Sequence, residues 1–78
     1  NIFHLQILLA VVEESSFSTA ALKCDISQSA VSRAIAALED QLGVSLLTRG
    51  RFGARPTPVG DRVIAHARQI LQCCESID

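Results

Sequence analysis

The segment from Cys24 to Gly43, "CDISQSAVSRAIAALEDQLG", constrains this chain more than any other. Val31, Ala34, Ile35, Leu38 and Leu42 recur at spacings of three and four, which predicts one helix with a single inward stripe. Its limits are marked. Ser27 is a good N-cap, and Gly43 is a favoured residue just past a helix end, so the helix should run over 28–42. The turn Cys24-Asp25-Ile26-Ser27 precedes it, with Asp25 tolerant of unusual backbone angles and Ile26 as a buried anchor. Gln28, Ser29, Ser32, Arg33 and Ala36 are left facing outward. These are short or forked hydrogen-bonding groups, unlike the long Glu/Lys mixture of an ordinary solvated face.

The flanking segments fit around that helix. "NIFHLQILLAVVEE" is apolar on most of its circumference, with Ile2, Leu5, Leu8, Leu9 and Val12 on one side and Phe3, Ile7 and Val11 elsewhere. A helix this apolar must be surrounded. "ESSFS" breaks it, and Ser16 or Ser18 can cap a short second helix over about 18–24, where Ala20 and Ala21 allow close approach. Two short extended runs, about 45–49 and 54–57, flank a loop with Gly50 and Gly53 and predict a small β-hairpin. Thr57 and Pro58 open a last helix running to the end of the chain. Almost half of the 78 residues are apolar but only three are aromatic, so the core must be built from Leu, Ile, Val and Ala. The expectation is a mainly α fold: helix, helix, turn, helix, hairpin, long helix.

Composition removes several functions. No apolar run approaches the roughly 20 residues that span a bilayer, and the opening stretch lacks the basic region and cleavage site of a signal peptide. A soluble, cytoplasmic protein without membrane contact is expected. Three cysteines, two of them adjacent, make no disulfide framework, and with only His4 and His66 they have no zinc spacing. Cys24, Cys73 and Cys74 read as reduced small hydrophobes, with a redox switch the alternative. No cofactor or metal is expected. Asp25, Glu39, Asp40 and the histidines lie at no catalytic spacing and there is no Gly-rich phosphate loop, so the chain does not read as an enzyme.

Charge points elsewhere. The net charge is only −1, but residues 27–57 carry Arg33, Arg49, Arg51 and Arg55 against Glu39 and Asp40. Three of those arginines fall in "RGRFGAR". Two helices joined by a tight turn, the second opening with hydrogen-bonding side chains, suit the major groove of DNA. Gln28 can offer a paired donor and acceptor to adenine, and Arg33 can fork onto guanine or grip phosphate. Ser27, Ser29 and Ser32 let the backbone come close, and their hydroxyls can bond phosphates or bases. Arg49, Arg51 and Arg55 on the hairpin could reach flanking backbone or a narrow minor groove. The alternative is an interaction module that binds protein and reads no DNA.

The last helix carries Val63, Ala67, Ile70, Leu71, Cys74 and Ile77 as a heptad-like seam, more apolar surface than one small core needs. That seam predicts a homodimer, and a symmetric dimer predicts an inverted-repeat site.

"SFSTAALKCDISQSAVSRAIAALEDQLGVSLLTR", followed by "PTPVGDRVIAHARQIL", resembles the N-terminal winged helix-turn-helix domain of LysR-type transcriptional regulators. The specific matches include Ser16-Phe17, Ala20-Ala21, Ser27-Gln28, Ser32-Arg33, Leu38-Glu39, Leu42-Gly43, Arg49, Thr57 and Gly60. The resemblance implies a reading helix in the major groove, a β-hairpin wing on adjacent backbone or minor groove, and a long last helix pairing subunits. It divides the chain into a DNA-binding body, 1–57, and a linker and dimerisation helix, 58–78. It also implies a bacterial regulator whose further domain, absent here, binds a small-molecule effector, with assembly beyond a dimer left open. The chain is then expected to be an excised fragment beginning just after an initiator Met. It departs from the family pattern at Ser29 (usually Pro), at Leu8 and Leu47 (often Phe), and at Cys24 (Leu). Ala34, Ala36 and Ala37 stand where basic or polar residues are usual, which implies fewer phosphate contacts.

Overall fold

The computed structural model describes residues 2–50 and 53–77, with side-chain surroundings as far as Gln72. Its elements follow the expected order: α1 (Ile2–Glu14), α2 (Phe17–Cys24), α3 (Gln28–Leu42), β1 (Leu47–Gly50), β2 (Gly53–Pro56) and α4 (Pro58–Ile77). The central helix has the predicted limits. The Ser27 hydroxyl accepts the amide of Ala30 at 3.0 Å, and the Gly43 amide donates to the Glu39 carbonyl at 2.8 Å. Ser16 caps α2, its hydroxyl accepting from Thr19, so that helix starts at Phe17, one residue earlier than expected. Strand β1 begins two residues later than expected, since its pairing with β2 starts at Leu47 opposite Pro56.

The three N-terminal helices pack around one aliphatic core. Ile7, Leu8 and Val11 come from α1, Phe17, Ala20 and Ala21 from α2, and Val31, Ala34, Ile35 and Leu38 from α3. Leu46, Leu47 and Ala54 seal it from the wing side, and Ile64 from α4. Among the described residues no polar or charged side chain is buried. Alanines at 20, 21, 34 and 54 let the elements approach closely, which compensates for the scarcity of aromatic bulk.

Two stripes need correction. Leu42 extends the spacing of α3 but is 49% exposed, because the last turn of the helix outruns the core. On α1 the deepest side chains are Ile7, Leu8 and Val11; Ile2 is exposed, and Leu5, Leu9 and Val12 lie at the margin. An all-round apolar helix gives its sequence no way to mark the inner side. The family-based reading of Ala34 is corrected as well: it is buried, so only Ala36 and Ala37 stand on the outer surface.

The hairpin is antiparallel, with Leu47 opposite Pro56, Thr48 opposite Arg55, Arg49 opposite Ala54 and Gly50 opposite Gly53. It is bonded to the helices at both ends. Ala54 donates its amide to the Ser15 carbonyl at 3.1 Å. Gly53 lies against that carbonyl with φ +102°, where a Cβ would collide with the Ser15 oxygen. At the other end, one carboxylate oxygen of Glu39 accepts the amides of Leu46 at 2.7 Å and Leu47 at 3.3 Å. The Leu46 carbonyl in turn accepts the Thr57 amide at 2.9 Å. Gly60 packs so tightly on that carbonyl that no side chain would fit. Thr57 also donates its hydroxyl to the Ser45 carbonyl and accepts the Gly60 amide, so one residue closes the hairpin and caps α4.

Candidate nucleic-acid interface

Gln28, Ser29, Arg33, Ala36 and Ala37 are exposed on α3, with Ser32 half-buried beneath them. Residues four apart on a helix are neighbours, so 28, 29, 32, 33 and 36 share one surface. Ser27 is exposed at its head, its hydroxyl engaged in capping. No carboxylate occurs on α3 before Glu39, and that one is turned to the wing amides. The surface presents donors, small hydroxyls and one guanidinium, together with the unpaired amides of a helix N-terminus.

The wing does not place its arginines together. Strand register puts Arg49 on the side of buried Ala54 and Arg55 on the opposite side, with Thr48. Arg49 lies over the ring of Phe17, its guanidinium carbon 3.9 Å from the ring centre. Arg55 is exposed on the outward side. Arg51 lies outside the described residues. A shallow cleft is lined by Ser16, Phe17, Ser18, Gln28, Arg49, Gly50, Gly53 and Ala54. It brings the first residue of α3 and the first wing arginine into one site; Arg33 and Arg55 stand outside it. Its ≈ 240 Å³ falls short of the roughly 300–1,000 Å³ of enclosed small-molecule sites.

Nothing in the sequence marks Phe17 or Glu39 as site-forming residues. Phe17 reads as an ordinary core residue, and the amides held by Glu39 lie seven and eight positions ahead in a loop. Of the seam on α4, Val63 is half-buried against the core, Ile70 is exposed and Leu71 is half-exposed. Ala67 is only 1% exposed within its own chain, so it offers no surface to a second copy. The side chains of Cys74 and Ile77 lie outside the described residues, as does that of Cys73. Cys24 packs against the core as a small hydrophobe. Among the described residues no group of three His, Cys, Asp or Glu side chains could hold a metal, and no helix is long and apolar enough to cross a membrane.

The model of the family described as "Bacterial regulatory helix-turn-helix protein, lysR family" matches residues 2–61. This chain belongs to the lysR family. It is 69% identical over 77 residues to the probable HTH-type transcriptional regulator LrrA of Synechococcus elongatus, covering 99% of this chain and 26% of that protein. Its fold is similar to that of the BenM DNA-binding domain solved in complex with benA site 1 DNA. The TM-score is 0.94 at 39% identity, over 99% of this chain and 86% of that one. It is also similar to the DNA-binding domain of CbnR solved with DNA, with a TM-score of 0.93 at 33% identity, over 97% and 87% of the two chains. This lysR-family chain spans about a quarter of the length of the curated relatives it matches. The family is one of transcriptional regulators rather than enzymes.

Proposed function

We propose that this chain is the DNA-reading part of a bacterial transcriptional regulator. In this reading α3 enters the major groove with Gln28, Ser29, Ser32 and Arg33 toward the base edges. Ser27 and the helix N-terminus face phosphate, and the wing lies on flanking backbone or minor groove through Arg49, Arg51 and Arg55. The observation that carries it is the exposed surface of α3 from Gln28 to Ala37, which precedes the helix's first carboxylate, with Gln28 sharing a cleft with Arg49. Similarity to BenM and CbnR domains solved on DNA supports the same reading.

Residues 58–78 form the pairing helix in this proposal. Exposed Ile70, half-exposed Leu71 and the exposed Ile2 and Phe3 of α1 supply apolar surface beyond what the core uses. A symmetric pair would set two reading helices about one DNA turn apart, or a multiple of it. In the whole regulator a further domain would bind a small-molecule effector, and the protein would act in the cytoplasm.

Selection from random duplex DNA at two salt concentrations tests this. Recovery of an inverted repeat, weakened by salt, is the expected result. Retention of no DNA at low salt would reject the reading and favour an interaction module.

A further inference from the structure

Arg49 and Phe17 are 32 positions apart, yet the guanidinium rests 3.9 Å from the centre of the ring. Three observations make this a built arrangement. Phe17 is only 9% exposed, held in the core at the first residue of α2. The strand carrying Arg49 is paired to Ala54, whose amide is bonded to Ser15, two residues before Phe17. Gly53 admits the Ser15 carbonyl only because it has no side chain. The hairpin is therefore locked to the α1–α2 corner at the level where Arg49 meets the ring. Arg49 also lines the cleft that contains Gln28, Ser16 and Ser18.

We propose that Phe17 is a positioning residue for DNA binding, holding the Arg49 guanidinium in place beside the start of α3 to meet a backbone phosphate. This rests on the DNA-reading function proposed above. The attraction between a guanidinium and a ring face restrains the plane of the cation without neutralising it. All the donors of the fork remain available to a phosphate. A long arginine normally loses rotamer freedom when it engages its ligand; here that ordering is done by the fold. Arg55, on the outward side of the same hairpin, has no comparable restraint in the register and meets phosphate as an ordinary flexible charge.

The test is a double-mutant cycle on DNA affinity, using the full chain and a duplex selected as above. Phe17→Leu keeps an apolar side chain in the core and removes the ring; Arg49→Gln removes the charge. Phe17→Leu is expected to weaken binding about three- to tenfold in the wild-type background and to have little effect beside Arg49→Gln. The salt slope should fall by about 0.9 for Arg49→Gln and stay near wild type for Phe17→Leu. Equal loss from Phe17→Leu in both backgrounds would make the ring merely structural and overturn the proposal. Wild-type affinity of Arg49→Gln would also overturn it, while leaving DNA reading by α3 intact. Absence of any salt-dependent affinity in the unmodified chain would instead remove the DNA-reading function itself. Should Phe17→Leu melt below the assay temperature, Arg49→Lys carries the question. It keeps the charge and lacks the planar stack. Weaker binding at an unchanged salt slope supports the proposal, and wild-type binding overturns it.

Discussion

Ala54 donates its amide hydrogen to the carbonyl oxygen of Ser15 at 3.1 Å, so the hairpin is bonded to the corner between α1 and α2. Ser15 reaches this position with φ +55°, a left-handed conformation that ends α1 and aims its carbonyl at the wing. The wing is thus part of the body, its orientation set by main-chain atoms.

Gly53→Ala should be strongly disruptive, because the new methyl would occupy the space of the Ser15 oxygen at φ +102°. A cost above about 1 kcal/mol is expected in urea unfolding, with a parallel loss of DNA affinity. Gly50, its partner across the hairpin, has open space and no positive φ. Gly50→Ala should change stability by less than about 0.5 kcal/mol. Similar costs for the two would discount the Ser15 contact.

Glu39→Ala should leave the Leu46 and Leu47 amides without their acceptor, costing about 1–3 kcal/mol. Glu39→Gln retains an acceptor oxygen and should recover most of that loss. The comparison is a shift in urea midpoint at unchanged slope. If Gln and Ala are equally damaging, the pair of amide bonds is not what Glu39 contributes.

Substitutions on the reading surface should separate by kind. Gln28→Ala or Arg33→Ala is expected to cost about 1–3 kcal/mol at one preferred base pair and to relax selection there. Arg55→Ala, on the outward side of the wing, should weaken all sequences alike and reduce the salt slope by about 0.9. Parallel selections on the variants measure both. Equal binding by all three would dissolve the proposed interface.

Much of this was legible in advance, and the exceptions share a cause. The limits of α3 followed from Ser27 and Gly43 because a helix advertises its ends through local capping bonds. The order of elements and the Thr57 cap of α4 were equally local. The site's geometry was not. The register placing Arg49 on the Phe17 side of the hairpin and Arg55 on the other depends on strand pairing, which the run "RGRFGAR" does not specify. Phe17 under Arg49, and Glu39 under Leu46, join residues distant in sequence through tertiary packing. Leu42 was misplaced because periodicity shows which side of a helix is apolar, not how far along it the core extends.

Lys23 provides an alkaline signature. The hydrogen bond from its ammonium to Glu13 at 3.1 Å, and the charges of Glu13 and Glu14, hold its pKa above the ordinary 10.5. The resulting stabilisation is fully present below the ordinary value and is lost as pH rises through the raised one. It joins the ends of α1 and α2 at an exposed site, so salt should weaken it. Thermal melts of the wild type and Lys23→Met should differ by a constant amount up to about pH 10 and converge above it. A difference that persists unchanged into stronger alkali would mean the ion pairs are not its source.

Leu46 is held at both of its main-chain groups: its amide by Glu39 of α3, its carbonyl by Thr57 at the head of α4. A hinge needs a segment that can turn without breaking bonds, and Leu46 is bonded both to α3 and to the head of α4. Helices α3 and α4 are therefore tied to each other through Leu46. Tilting one α4 against another would swing its α3 through the same angle, with the 20-residue helix as the lever. In the pair proposed above, with α4 as the pairing helix, the gap between the two α3 helices would be set like the opening of a caliper, at the pivot of the long arms.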